Sequence, residues 1–244
     1  MKQNFRSFHS LTVILLMTVS IVFTSCDKRL NKEGSGVVIS QTRNLQEFSM
    51  LDVDGSYDIR YHESEESFVE ITTDDNIMPL VKTYVQEGVL FIEMDDQYHH
   101  YDWTQMTLHI YHSGVNHVQL NGDIQFTAMD TITTNSFRLD HNGKGLAKIL
   151  FQGNDLRVGI DGSADITADG SAQLAEYHIN GNGKIEALGL HAYDAVADIK
   201  GRGDIYLHCD HHLTAIISGM GDIRYTGSPS VTTDIEGSGE VGPY

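Results

Sequence analysis

In the second half of the chain, apolar and polar residues alternate with a period of two, and pairs of glycines interrupt them at regular intervals. Ile160-Asp161-Gly162-Ser163-Ala164-Asp165-Ile166 is followed by Ile179-Asn180-Gly181-Asn182-Gly183-Lys184-Ile185 and by Ile199-Lys200-Gly201-Arg202-Gly203-Asp204-Ile205. Ile217-Ser218-Gly219-Met220-Gly221-Asp222-Ile223 and Ile235-Glu236-Gly237-Ser238-Gly239-Glu240-Val241 continue the series. Gly143-Lys144-Gly145 is a degenerate earlier copy and Leu120-Asn121-Gly122-Asp123-Ile124 a shortened one. A period of two with β-branched residues on both sides of a glycine turn predicts paired short strands. Glycine suits such a turn because positive φ carries no Cβ penalty there. A unit of 18 to 20 residues cannot bury its apolar face alone, so the repeat predicts stacking into an all-β solenoid. Ile160, Ile179, Ile199, Ile217 and Ile235 would then form an internal ladder.

The preceding half has a different texture. Phe48, Leu51 and Val53 alternate into Gly55, and Phe68, Val69 and Ile71 form a second strand pattern. Asp74-Asp75-Asn76 reads as a cap for a turn or two of helix over residues 77–82. Thr83–Gln86 and Val89–Met94 then read as a hairpin closed at Glu87-Gly88.

Residues at the N-terminus indicate the compartment. Lys2 and Arg6 precede a mostly apolar run from Leu11 to Thr24, the layout of an export signal. About fourteen apolar residues are too few to span a bilayer, which takes about twenty. The run ends at Phe23-Thr24-Ser25-Cys26, which resembles a bacterial lipoprotein signal over residues 1–25 with lipidation at Cys26. Residues 26–36 read as the lipidated cysteine and a polar tether, and 37–244 as one domain. Within it, residues 37–118 form an irregular N-terminal part and 119–244 the repeat rungs. With Cys26 lipidated, Cys209 has no intramolecular disulfide partner.

Phe48 through Gly55, Asp58-Ile59, Asp74-Asp75-Asn76-Ile77, Val81, Thr83, Val85, Gly88, Leu90 and Ile92, followed by the Gly-x-Gly copies, resemble the adhesin domain called the head GIN domain. The resemblance covers residues 37–244. It implies a right-handed parallel β-helix similar in shape to pectin lyases, no known catalytic residues, and a role in cell adhesion. Such proteins occur mainly in Bacteroidota and are commonly lipoproteins, which implies an outer-membrane anchor.

Charge narrows the partners. The chain holds 34 acidic against 16 basic residues, a formal net charge of −18. Export removes Lys2 and Arg6 and no acid, so the balance becomes more negative still. Nucleic acid and anionic membrane surfaces require clustered Lys and Arg and are excluded as partners. A glycan or a surface protein remains.

Candidate chemistry falls in five places. Arg202-Gly203-Asp204 spells an integrin-recognition tripeptide, but Arg202 fills the variable slot that holds Ser163, Asn182, Met220 and Ser238 elsewhere. It reads as repeat drift within a pinned turn. His208-Cys209-Asp210-His211-His212 packs metal-ligand types together, with His208, Asp210 and His212 on one side of a strand. Ligands from one short segment rarely converge on a tetrahedral site, so no metal is expected there. Asp204, Asp222 and Glu240 should stack about 4.8 Å apart. Calcium would relieve their repulsion, but turn N–H groups answer the same need. Tyr98, Tyr101 and Trp103, in an expected loop, offer rings that could stack on a sugar or cover apolar surface. Asp95-Asp96 and Asp161 with Asp165 are the acid pairs a glycosidase would need.

No phosphate loop, Ser-His-Asp order or nucleophilic cysteine motif is present. The leading expectation is a non-enzymatic surface-binding lipoprotein without cofactor, with a carbohydrate-active β-helix enzyme and a ligand-free envelope scaffold as alternatives.

Overall fold

The structure is a computed structural model that describes residues 30–244. The expected export signal, residues 1–25, and Cys26 lie outside the described residues. Strand makes up 72% of the described residues, arranged as stacked parallel coils of a β-solenoid with about seven turns. The long strands Ser163–Ile179, Asn182–Ile199 and Arg202–Ile217 pair side by side, each bending around the coil.

The register follows the repeat. Ile160 pairs with Ile179, Ile179 with Ile199, Ile199 with Ile217 and Ile217 with Ile235. The first four are fully buried, as the ladder requires, but Ile235 is 44% exposed. The strand Ser230–Ile235 is exposed along its whole length. Ile235 keeps its place in the ladder and loses its burial because no rung stacks on its far side among the described residues.

The first glycine of each copy has a steric role. A Cβ on Gly162, Gly181, Gly201, Gly219 or Gly237 would overlap the carbonyl oxygen of the matching glycine one rung earlier. None of these five has positive φ. Strand separation of about 4.8 Å therefore sets their identity, in place of the turn angle expected from sequence. Of the second glycines, Gly145, Gly183 and Gly221 do adopt positive φ, at 136°, 154° and 141°. Polar side chains beside the turn form ladders of their own: Asn142 donates to Asn121 at 2.8 Å and Asn180 to Asp161 at 2.6 Å.

The N-terminal half supplies the first coil and then a cap. Met50–His62 pairs in parallel with His117–Ala128 and brings Gly55 opposite Gly122. Its other edge pairs with Val89–Met94 and Met106–Tyr111. Two antiparallel strands, Phe68–Asp74 and Val38–Asn44, close that end. The expected hairpin of Val81–Gln86 and Val89–Met94 forms, with Glu87 and Gly88 at positive φ.

The expected helix shrinks to one 3-10 turn, Met78–Leu80, with no side-chain cap. Asp74 serves a different purpose. Its buried carboxylate accepts hydrogen bonds from the Gly36 N–H at 2.7 Å, the Thr104 N–H at 2.7 Å and the Thr104 hydroxyl at 3.0 Å. These bonds, the Thr104 amide foremost, hold its pKa below the usual carboxylate value. Asn76 donates to the Glu33 carbonyl at 2.8 Å and accepts the Ser35 N–H at 2.9 Å. The segment read as a helix cap thus pins residues 33–36, and Leu30–Glu33, read as tether, is a strand.

His141 is fully buried; its Nε2–H donates to the Ile124 carbonyl and its Nδ1 has no partner. Burial lowers its pKa, partly offset by the Ile124 carbonyl and Asp123. The unfolded chain therefore takes up the proton first, and this residue's effect on stability is unfavourable below about pH 6.5 and absent above it. Thermal unfolding at about pH 7.5 and 5.5 should show a drop on acidification that flattens in His141→Gln; an unchanged slope in the variant would show that His141 does not carry it.

Candidate functional site

A concavity of about 870 Å³ opens on the flank of the first coil. Met50–His62 contributes Asp54, Gly55 and Ser56; the hairpin contributes Lys82 and Glu93; Asp95 to Trp103 form the remaining wall. That wall is a strand, Tyr98–Asp102, where sequence suggested a loop. It pairs in parallel with Leu30–Glu33, and without that partner the pattern Tyr-His-His-Tyr-Asp gives little strand signal.

Tyr98 and Tyr101 meet edge to face at 5.6 Å between centroids, and Lys32 Nζ lies 5.7 Å from the Tyr98 ring centre. Tyr101 and Trp103 are half-buried and pack against the core, so they cover apolar surface and also line the cleft. The Tyr101 hydroxyl donates to the Asp95 carbonyl. Burial is the main cause that raises the Tyr101 pKa.

Carboxylates dominate the electrostatics. Asp54, Glu93, Asp95, Asp96 and Asp102 line the cleft with Lys82. Asp95 accepts the Gln97 N–H at 3.0 Å and lies 3.2 Å from Lys82 Nζ. The amide first, then the lysine, hold its pKa down, while Asp95 raises that of Lys82. A carboxylate held this way accepts hydrogen bonds and is a poor proton donor. Asp52, whose pKa burial raises, lines a neighbouring recess and is bonded to Asn121 at 2.9 Å. Asp161 and Asp165 do not line the cleft; Asp161 is exposed and bonded to Asn180. The structure does not bring the two acid pairs together.

The tripeptide lies flat between rungs. The Arg202 N–H donates to the Gly181 carbonyl at 2.8 Å and the Gly203 N–H to the Met220 carbonyl at 3.0 Å. Asp204 accepts the Asp222 N–H at 2.8 Å, and Asp222 accepts that of Glu240 at 2.9 Å. Arg224 bridges Asp222 and Glu240 at 3.0 and 2.8 Å. Turn amides and an arginine thus occupy the stacked carboxylates.

The histidine-rich corner divides. Cys209 is buried, with its Sγ toward the Tyr193 and His212 carbonyls. His212 pairs with Ser230 at 2.9 Å, and His211 pairs with Asp194 at 2.8 Å and stacks on Tyr193. His208 and Asp210 are together at 3.0 Å, and His191, absent from the sequence candidates, joins them from the preceding rung. No helix among the described residues is long and apolar enough to cross a membrane.

A family model described as "Putative auto-transporter adhesin, head GIN domain" matches residues 47–229. A crystal structure of a putative adhesin from Bacteroides fragilis is similar with a TM-score of 0.81 at 25% identity, covering 87% of this chain and 99% of that one. A putative adhesin from Parabacteroides distasonis gives 0.70 at 25% identity over 88% and 100% of the two chains. A second protein of that organism, described as a putative lipid binding protein, shares the fold with a TM-score of 0.75 at 20% identity over 88% and 99%. A search among curated proteins finds no match.

Proposed function

Because the chain belongs to the family described as putative auto-transporter adhesin, head GIN domain, we propose that it is a non-enzymatic binding module of the cell envelope that acts in adhesion. In this reading a lipid on Cys26 holds it to the outer membrane, and the cleft of the first coil takes the ligand. The observation that carries the reading is the composition of that cleft, with aromatic rings and carboxylates around about 870 Å³.

Aromatic faces stack on the C–H surfaces of sugar rings, and ionised carboxylates accept sugar hydroxyl protons. An excess of carboxylates repels acidic polysaccharides, so the ligand class is a neutral or amino-sugar glycan. Asp95 is held ionised and suits a hydrogen-bond acceptor, and Asp161 and Asp165 lie outside the cleft.

Binding of the full-length protein to a panel of neutral, amino-sugar and acidic glycans tests this. Neutral or amino-sugar glycans should bind, and Trp103→Ala or Tyr98→Ala should weaken binding, since each removes a ring face on which a sugar stacks. Unchanged binding in both variants, or a preference for acidic glycans, would remove the cleft from the account.

A further inference from the structure

His191 and His208 lie opposite each other on neighbouring rungs, with ring centroids 4.4 Å apart and planes at 61°. Asp210 follows His208 by two residues, which puts both on one face of the strand. Its Oδ1 is 3.0 Å from His208 Nε2. One ligand atom from each of the three residues lies within 4.8 Å of the other two.

The geometry points to a binding site for a divalent first-row transition ion, of the Zn²⁺ class, formed by His191, His208 and Asp210. Two imidazoles and one carboxylate are donors for such ions, whereas calcium and magnesium take oxygen ligands. The other ring nitrogen of His208, Nδ1, is 2.9 Å from the Thr226 hydroxyl on the following rung. The Thr226 hydroxyl can accept from Nδ1–H, so that when a cation takes the place of the proton now shared between Nε2 and Asp210, Nε2 is free to ligate it. That hydroxyl is the outer partner that ligating histidines ordinarily have.

His208 is fixed, with a side chain only 17% exposed, while His191 and Asp210 are exposed and free to adjust. Tetrahedral zinc with bonds of about 2.0–2.1 Å holds its ligands about 3.3 Å apart. From within 4.8 Å of one another, the exposed pair must therefore close by up to about 1.5 Å, within the reach of a side-chain rotation. Solvent supplies the remaining position. The ion would link two rungs at a corner where the backbone register shifts between Ala187 and His191.

The test is titration of the metal-free full-length protein with Zn²⁺ by calorimetry, with Ca²⁺ as comparison and thermal unfolding as a second readout. One zinc equivalent should bind and raise the unfolding temperature, while calcium does neither. His191→Ala and Asp210→Asn change exposed residues and should each weaken zinc binding about tenfold or more. His211→Ala and His62→Ala should bind as the parent does. Absence of zinc binding, wild-type affinity in both His191→Ala and Asp210→Asn, or loss only in the His62 or His211 variant would overturn the assignment.

Discussion

Gly201→Ala should lower stability by about 3 kcal/mol or more, among the largest effects of any single methyl group added to this chain. The added carbon would overlap the Gly181 carbonyl, which is backbone and fixed by the rung before it. It also falls close to the Asn180 carbonyl, so the strand has no direction in which to yield. For a domain of this size the loss corresponds to roughly 6–12 °C in unfolding temperature. Arg202→Ala, one residue away at an exposed site, should stay within about 0.5 kcal/mol. Thermal denaturation of both variants decides the matter. A tolerated Gly201→Ala would mean the rungs are not spaced as described.

The second large effect concerns the isoleucine ladder, where residues at one repeat position should behave differently. Ile199 is buried between rungs on both sides, and Ile199→Ala should cost about 2–5 kcal/mol through lost contacts and the cavity left behind. Ile235 occupies the same repeat position and pairs with Ile217, yet it is 44% exposed. Ile235→Ala should therefore cost about 0.5 kcal/mol or less. Denaturant unfolding of both variants checks this. Equal losses would show that something covers the last rung in solution.

That contrast marks how far a repeat can be read without coordinates. The Gly-x-Gly spacing identified the rungs from Gly143 onward and the Ile160-to-Ile217 ladder, because consecutive copies follow one another at nearly constant distance. Gly55 pairs with Gly122 in the same way, but residues 63–116, which include the antiparallel cap, separate the two in sequence. Its membership in the ladder was therefore hidden. The sequence Val53-Asp54-Gly55-Ser56-Tyr57-Asp58-Ile59 did carry an apolar-polar-glycine signal that could have shown it.

Other misses have a similar origin. Leu30–Glu33 and Tyr98–Asp102 have little strand character singly, and each becomes a strand through a partner almost seventy residues away. His191 cannot be placed beside His208 from the repeat alone, because a constant period puts other residues opposite His208. Ala187 pairs with Leu207 but His191 with His208, so the register slips at the corner. Of the histidine-rich run, alternation placed His208 and Asp210 together correctly. It failed at His212 because the strand bends after them.

The aromatic wall was legible as composition. Its dual role, covering the core and lining a cleft, required the first coil, the hairpin and the edge strand to be set side by side. At the first position of each copy, glycine is set by rung separation rather than by a turn angle.

Display of this cleft to the exterior is the central claim, and protease treatment of intact cells expressing the full-length protein tests it most directly. A lysed sample and an inner-membrane marker serve as controls, with detection of the solenoid domain as the readout. The account predicts that the domain is cut on intact cells while the marker survives. Protection of the domain until lysis would contradict it, placing the cleft inside the envelope and ending the case for adhesion.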